Sequence, residues 1–245
     1  MRYDDENESL SSEKRYGGSY GRSGEYVRAD GDAGGISVTR YNLILGGVLL
    51  WGFLANALIC FFTRGIDLAA YVVPILIAYV VLAIVGVLLT RSKSWVVSFI
   101  GYNLLVIPLG FVISLYVSGY DPLLLATVFF ETAAVTLLMM LLSMIFPRLF
   151  LSIGRALLIS LLIVIVVELI ATVIFVATGS GRESFFFLDW IVVLIFCGYI
   201  GYDWAIAQRR QRTVDAAVDS ACALYLDIIN IFIRLLSIAS RRNRR

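Results

Sequence analysis

Seven apolar stretches dominate this sequence, and each has about the length needed to cross a membrane. A helix requires roughly 20 apolar residues to span the hydrocarbon core of a bilayer. Strands of a membrane barrel would alternate polar and apolar residues over about ten positions, whereas these stretches are apolar all round. The sequence therefore predicts an all-α, multi-pass transmembrane bundle of seven helices. The stretches run near residues 42–62, 69–90, 95–118, 122–147, 154–178, 185–208 and 217–239.

The composition indicates that lipid is the main partner of the chain. Of its 245 residues, 60% are hydrophobic and 16% are charged, whereas a soluble domain keeps roughly 25% charged residues. The net charge of +2 is too small to indicate nucleic-acid binding. We therefore expect a lipid bilayer as the surroundings of this protein, and no nucleic-acid partner.

Polar segments flank the apolar stretches at both ends of the chain. Residues 1–40 are rich in Gly, Ser and charged side chains and contain no apolar run, so we predict a disordered N-terminal tail. The transmembrane domain is then 41–239, and 240–245 form a basic C-terminal tail. The N-terminal tail lacks the short basic start and apolar core of a secretory signal.

Basic residues predict the orientation of the chain, because they are retained on the cytoplasmic side. Thirteen Lys and Arg residues fall on the side of the N-terminus, and Arg64 and Arg182 fall on the other. The N-terminus is therefore expected in the cytoplasm, in a prokaryotic plasma membrane. The arginines within 241–245 conflict with this scheme, since seven complete crossings place them outside. A re-entrant seventh segment would place them inside; seven crossings are preferred.

The residues needed for common enzyme sites are missing from the sequence. The chain has no histidine, which excludes Ser-His-Asp and Cys-His catalysis and paired-histidine zinc sites. Lys14 and Lys93 are the only lysines, and neither lies deep in a span where a Schiff base would form. Cys60, Cys197 and Cys222 lie in apolar stretches without metal-ligand spacing. We expect neither an enzyme nor an organic cofactor.

Two aspartates, Asp203 and Asp227, lie inside the last two apolar stretches, and Asp215 is 12 residues from each. If Asp215 marks the turn between antiparallel helices, equal rise per residue brings both carboxyl groups to one depth. Acidic residues inside spans usually mark ion or proton pathways, and two close carboxylates in a dry site are expected to share a proton. The alternative is a polar contact that holds the helices together through Asn230 or Tyr202.

Other charged residues inside the spans are candidates for the same pathway. Glu131 and Glu168 lie far from any predicted loop, and the alternative for Glu168 is that it stays protonated. Arg234 follows Asp227 by seven residues, which places both on one helix face, so Arg234 is a candidate to neutralise Asp227. Asn230 lies between them in the sequence and completes this set of pathway candidates.

Two motifs resemble the Bax inhibitor-1 family of membrane proteins. Residues 223–232, Ala-Leu-Tyr-Leu-Asp-Ile-Ile-Asn-Ile-Phe, resemble its closing segment, and residues 201–203, Gly-Tyr-Asp, resemble its sixth-helix aspartate motif. The resemblance covers about residues 195–236. It implies a seven-helix bundle with the last helix central, a slow, pH-regulated calcium leak, and Asp203 and Asp227 as the pH sensor.

Arg91 stands where the family places an arginine that latches the sixth-helix aspartate. Asp203 lies six residues before Arg209, roughly 9 Å from the cytoplasmic end of its helix, so an arginine at that end can reach it. The alternative is that Arg91 is only a topology residue of a cytoplasmic loop.

Calcium and protons are the ions that this arrangement would handle. Calcium prefers six to eight oxygen ligands, and the carboxylates of Asp203 and Asp227 supply only a few, so we predict weak and transient binding. The main hypothesis is a pH-regulated calcium leak channel or calcium/proton exchanger. The alternative is a non-conducting regulatory protein that binds other membrane proteins, such as a protease or a cell-death partner.

Overall fold

A computed structural model describes residues 35–178 and 186–243, which form helices joined by short connections without any strand in these ranges. Most of the expected disordered tail and the last two residues lie outside the described part. A 3₁₀ turn, Ala69–Tyr71, precedes the second helix. The helices are α1 (Val38–Phe62), α2 (Val72–Leu89), α3 (Trp95–Val117), α4 (Pro122–Ile145), α5 (Pro147–Ser152), α6 (Gly154–Thr178), α7 (Phe186–Ala207) and α8 (Val214–Asn243).

Seven of the described helices are long and apolar enough to cross a membrane, as the sequence predicts. The exception is α5, a six-residue helix between the fourth and fifth spans. Helix α8 is unbroken over 30 residues, or about 45 Å, which exceeds the thickness of the hydrocarbon core. A re-entrant segment would have to turn back inside the membrane, so the continuity of α8 supports seven complete crossings.

Local sequence signals place the ends of α4 and α5. Asp121 caps α4, because its carboxylate accepts hydrogen bonds from the backbone N–H groups of Leu123 and Leu124 at 3.1 and 3.2 Å. Pro122 then occupies the first turn, where a missing N–H has no cost. Pro147 prevents Phe146 from continuing the helix, so the chain leaves α4 and starts α5.

Helix α8 forms the centre of the bundle, as expected for the last helix. It contacts α1, α3, α4 and α7. Half of its most apolar 18-residue stretch is buried, as in α3, whereas only 6% of the corresponding stretch in α2 and 11% in α6 is buried. Leu224, Tyr225, Ile231 and Leu236 are fully removed from solvent. A displacement of α8 would therefore change its packing against four neighbouring helices.

Candidate functional site

The carboxyl groups of Asp203 in α7 and Asp227 in α8 meet inside the bundle. The two carboxyl groups lie within side-chain reach of each other, and the charge of Asp203 acts on Asp227. Asp227 is only 5% exposed, and Asp203 is half-buried. The structure thus brings together the two residues that the sequence singled out, in a place with little access to water.

The connection between α7 and α8 differs from the symmetric turn at Asp215 that the sequence suggested. Asp215 does not mark the turn, because residues 208–213 connect the helices and α8 begins at Val214. Asp203 lies four residues from the end of α7, and Asp227 lies 13 residues from the start of α8, distances of about 6 and 20 Å. The first turns of α8 therefore extend past the end of α7.

Neighbouring helices cover this extension of α8. The carboxylate of Asp215 accepts a hydrogen bond from Ser98 Oγ of α3 at 2.6 Å, and Ser220 lies 3.0 Å from the hydroxyl of Tyr41 in α1. These contacts replace the contacts with α7 that a symmetric hairpin would have made. They hold the start of α8 beside the starts of α1 and α3.

Oδ2 of Asp227 is one of several buried polar atoms without a hydrogen-bond partner among the described residues, and Nε1 of Trp204, the residue after Asp203, is another. A buried oxygen without a donor is costly, so Asp227 Oδ2 is suited to carry a proton or contact a cation. Tyr199, one turn before Asp203, lies within electrostatic reach of both carboxyl groups.

Glycines allow close packing around α7 next to Asp203. A Cβ at Gly201 would overlap the ring of Phe150 in α5, and one at Gly198 would lie 2.6 Å from Leu157 Cδ2 in α6. The carbonyl of Gly201 also accepts a hydrogen bond from Ser143 Oγ of α4 at 2.5 Å. The backbone that carries Asp203 is therefore fixed from three helices.

The predicted latch, Arg91, lies on the exposed connection between α2 and α3. Among the described residues, no ion pair joins it to Asp203. Arg210 lies within electrostatic reach of Asp203, and its Nη1 atom lies 3.8 Å from the carboxylate of Asp219. A role for Arg91 as a latch therefore requires a conformation other than this one and stays a prediction.

Arg234 contacts two acids from other helices rather than Asp227, so the expected neutralisation of Asp227 is corrected. Its Nη1 atom lies 2.7 Å from Oε1 of Glu168 in α6 and 3.0 Å from Oδ1 of Asp189 in α7. Its Nη2 atom donates to Oε2 of Glu168 at 2.9 Å. Glu168 thus lies in an ion pair with Arg234 and not in isolated apolar surroundings.

Asp189 was missed by sequence reasoning because it lies close to the predicted end of its span. It is only 6% exposed, and its Oδ2 atom accepts a hydrogen bond from Ser237 at 2.9 Å and lies 3.7 Å from Arg241. An arginine within a span requires a charged or polar partner, so Arg234 was the signal that pointed to a further acid. We call these five residues the Arg234 cluster: Glu168, Asp189, Arg234, Ser237 and Arg241.

The remaining pathway candidates are not part of the carboxyl pair. Glu131 is exposed on the outer face of α4. Asn230 donates from Nδ2 to the carbonyl of Leu226 in its own helix at 2.8 Å. Tyr202 packs against Gly154. The alternative contact through Asn230 or Tyr202 is therefore not formed within the described part of the chain.

The fold and the site define the class of protein. It is a multi-pass helical membrane protein in which the last two spans, the second of them the central helix, bring two carboxyl groups into contact. A family model described as "Inhibitor of apoptosis-promoting Bax1" matches residues 38–244. The chain belongs to this family, which confirms the resemblance carried by residues 201–203 and 223–232.

Relatives of the chain occur in plants and bacteria. Protein LIFEGUARD 3 of Arabidopsis thaliana is 45% identical over 58 residues, which are 24% of this chain and 23% of that protein. An uncharacterized membrane protein of Streptococcus pyogenes serotype M3 is 32% identical over 140 residues, 55% of this chain and 59% of that protein. An uncharacterized protein of Deinococcus radiodurans is 28% identical over 187 residues, 72% of this chain and 78% of that protein. The match thus spans about a quarter of LIFEGUARD 3.

Proposed function

We propose that the protein is a pH-regulated calcium leak pathway, or a calcium/proton exchanger, in which Asp203 and Asp227 are the proton sensor. The observation that carries this proposal is the direct contact of the two carboxyl groups between α7 and the central helix α8. Acidic residues in the interior of a membrane bundle commonly line ion or proton pathways. Membership of a membrane-protein family agrees with this class of function.

Charge balance explains how such a pair responds to pH. Two carboxylates in contact at a poorly solvated site are not both ionised at low cost, so one proton is held between them. Loss of that proton adds a negative charge, which a cation, water or a movement of the helices must compensate. Because Asp227 belongs to α8, a movement at the pair is transmitted to the helices packed around it.

Calcium fits the oxygen chemistry of the pair but would bind it weakly. Among the described residues, no group of three or more His, Cys, Asp or Glu side chains is arranged to hold a metal ion. A calcium ion at Asp203 and Asp227 would draw most of its six to eight ligands from water or backbone oxygens. Such a site favours passage of the ion over its storage.

Reconstitution of the purified protein in lipid vesicles tests this proposal. Calcium entry is followed with an enclosed fluorescent indicator across a series of pH values. We expect entry above that of protein-free vesicles and a clear dependence on pH. Entry equal to that of empty vesicles at every pH would reject the proposal.

Substitution of the sensor separates proton control from conduction. In Asp227→Asn the pair can no longer exchange a shared proton, so we expect the pH response of calcium entry to flatten. Asp121→Asn is the matched control, because asparagine also caps a helix and Asp121 lies at the exposed start of α4. A pH response in Asp227→Asn that equals that of the wild type would contradict the sensor role.

A regulatory function is the second candidate, and Glu131 favours it. Acids within spans almost always face the bundle interior or a cavity, but Glu131 lies on the outer face of α4 beside the exposed rings of Phe129 and Phe130. A protein partner in the membrane, such as a protease or a cell-death protein, would cover this acid. The description of the family as an inhibitor of apoptosis-promoting Bax1 agrees with such binding.

Site-directed photocross-linking distinguishes this second candidate. A photoreactive residue in place of Glu131 is expected to give a discrete adduct in native membranes, and the same residue in place of exposed Leu123 on α4 is not. Equal labelling from both positions would reject a specific partner at Glu131.

A further inference from the structure

The Arg234 cluster connects the central helix α8 to α6 and α7, at a site separate from the carboxyl pair. Arg234 of α8 contacts Glu168 of α6 at 2.7 Å and Asp189 of α7 at 3.0 Å. Arg241 lies 3.7 Å from Asp189 on the same side, so two cations face two anions. The guanidinium thus occupies the space between two carboxylates that a mobile cation would otherwise contact.

The cluster and the carboxyl pair share one face of α8. Asp227, Arg234 and Arg241 follow one another at intervals of seven residues, which is two helical turns and about 10 Å per interval. The same helix faces α7 at both levels, through Asp203 and through Asp189. A rigid movement of α8 at the pair therefore also displaces Arg234 from its partners.

A cavity of about 540 Å³ adjoins the cluster. Glu168, Asp189, Arg234 and Arg241 line it together with Tyr116 of α3 and apolar side chains of α6. At about 30 Å³ per water molecule, a space of this size admits a hydrated cation. The acids of the cavity face Arg234, so a cation that enters must compete with the guanidinium.

We infer that Arg234 is a gate at the end of the bundle opposite the α7–α8 connection, where it acts as a tethered cation that must leave Glu168 and Asp189 before a divalent cation passes. This inference rests on the proposed function and adds a second control point to it. The carboxyl pair, with Tyr199 beside it, sets the pH response, whereas the Arg234 cluster sets the size of the leak.

Calcium entry into vesicles that contain Arg234→Gln tests the gate. Removal of the guanidinium frees both carboxylates for cations, so we expect entry to rise at least about threefold at a fixed pH. The pH response remains, because Asp203 and Asp227 are intact. Arg242→Gln is the matched control, since Arg242 is an exposed arginine in the last turn of the same helix, and it should conduct like the wild type.

A second variant covers the event that Arg234→Gln does not fold. The triple substitution Glu168→Gln, Asp189→Asn and Arg234→Gln keeps hydrogen-bonding groups in place and removes the charges of Arg234 and its two acids together. Arg241, which loses Asp189, has a side chain that is 37% exposed, so water can solvate its charge. It removes the tethered cation as well, so its leak should also exceed that of the wild type. The folded state of every variant is checked by size-exclusion chromatography and circular dichroism.

The outcomes distinguish failure of the gate from failure of the proposed function. If the wild type conducts and both folded variants conduct equally or less, the gate is wrong and the leak pathway stands. If neither wild type nor variants conduct above empty vesicles, the proposed function fails and the gate fails with it. A higher leak in Arg242→Gln as large as in Arg234→Gln also contradicts the gate.

Discussion

Asp227 and Asp189 are two buried aspartates of the same bundle with very different hydrogen-bond and ion-pair partners. Both are about 5% exposed, at 5% and 6%. Asp189 is surrounded by Arg234, Ser237 and Arg241, a set of donors suited to a carboxylate. Asp227 instead faces another acid, and its Oδ2 atom has no donor among the described residues. The first arrangement stabilises a fixed charge, and the second favours an exchangeable proton.

Removal of the charge of Asp189 should weaken the fold. In Asp189→Asn, Arg234 keeps only Glu168 as a charged partner, so we expect a loss of about 1–3 kcal/mol and a lower unfolding temperature in detergent. Ser237→Ala removes a single neutral donor from the same acid and should cost less, about 1 kcal/mol. An unfolding temperature for Asp189→Asn equal to that of the wild type would show that the ion pair between Asp189 and Arg234 adds nothing to stability.

A second buried polar contact joins α1 to α8. Nδ2 of Asn56 donates to the hydroxyl of Tyr225 at 2.5 Å, and both residues are buried. Tyr225→Phe leaves the amide of Asn56 without this partner, so we expect a loss of about 1–3 kcal/mol, read as a lower thermal unfolding temperature. Tyr71→Phe changes an exposed tyrosine and serves as the control. The same shift in both variants would rule out a specific role for the contact.

At the scale of single helices, close approach at glycines fixes α7 within the bundle. Phe150 of α5 fills the space at Gly201, and Leu157 of α6 fills the space at Gly198. Small residues at helix contacts are the usual means of tight packing in membranes. They hold Asp203 at a fixed height beside α8, on which the meeting of the carboxyl pair depends.

Gly201→Ala should displace α5 from α7. The added methyl group overlaps the Phe150 ring, so we expect a loss of about 1–3 kcal/mol from overpacking. Gly47→Ala in α1, where no atom lies within 4 Å of the new Cβ, should be neutral or stabilising by up to about 1 kcal/mol. Thermal unfolding of both variants in one detergent makes the comparison. Equal stability of the two would disprove close packing at Gly201.

The positions of the helices along the chain were predictable from the sequence. The side chains that contact one another between helices were not. The apolar stretches predicted every crossing, and Asp121 with Pro122 marked the start of α4. The turn at Asp215 was wrong because Thr213 Oγ1 accepts the N–H of Ala216 at 3.1 Å, which starts α8 before Asp215. The partners of Arg234 lie 45 and 66 residues away, and only helix packing decides which acids it meets.

At the scale of the whole molecule, residues 35–37 and the α7–α8 connection lie at the same end of the bundle. The N–H of Ile36 donates to the carbonyl of Arg212 at 2.8 Å. Basic residues gather at this end, among them Arg40, Arg91 and Arg209. Because positive charge is retained in the cytoplasm, we predict that this end of the bundle faces the cytoplasm.

Cysteine labelling in intact cells tests this orientation. In a background with the three native cysteines replaced, Arg212→Cys is expected to resist a membrane-impermeant thiol reagent until the cells are opened. Arg64→Cys lies on the exposed connection between α1 and α2 at the opposite end and should react in intact cells. The reverse labelling pattern would show the opposite orientation, with the N-terminus outside the cell.

Infrared difference spectroscopy of the purified protein across a pH series tests most directly whether Asp203 and Asp227 hold one proton between them. We predict one carboxylic-acid C=O band that disappears as the pH rises and that both Asp203→Asn and Asp227→Asn alter. A pH-dependent band that survives both substitutions, or the absence of any such band in the wild type, would contradict the shared proton.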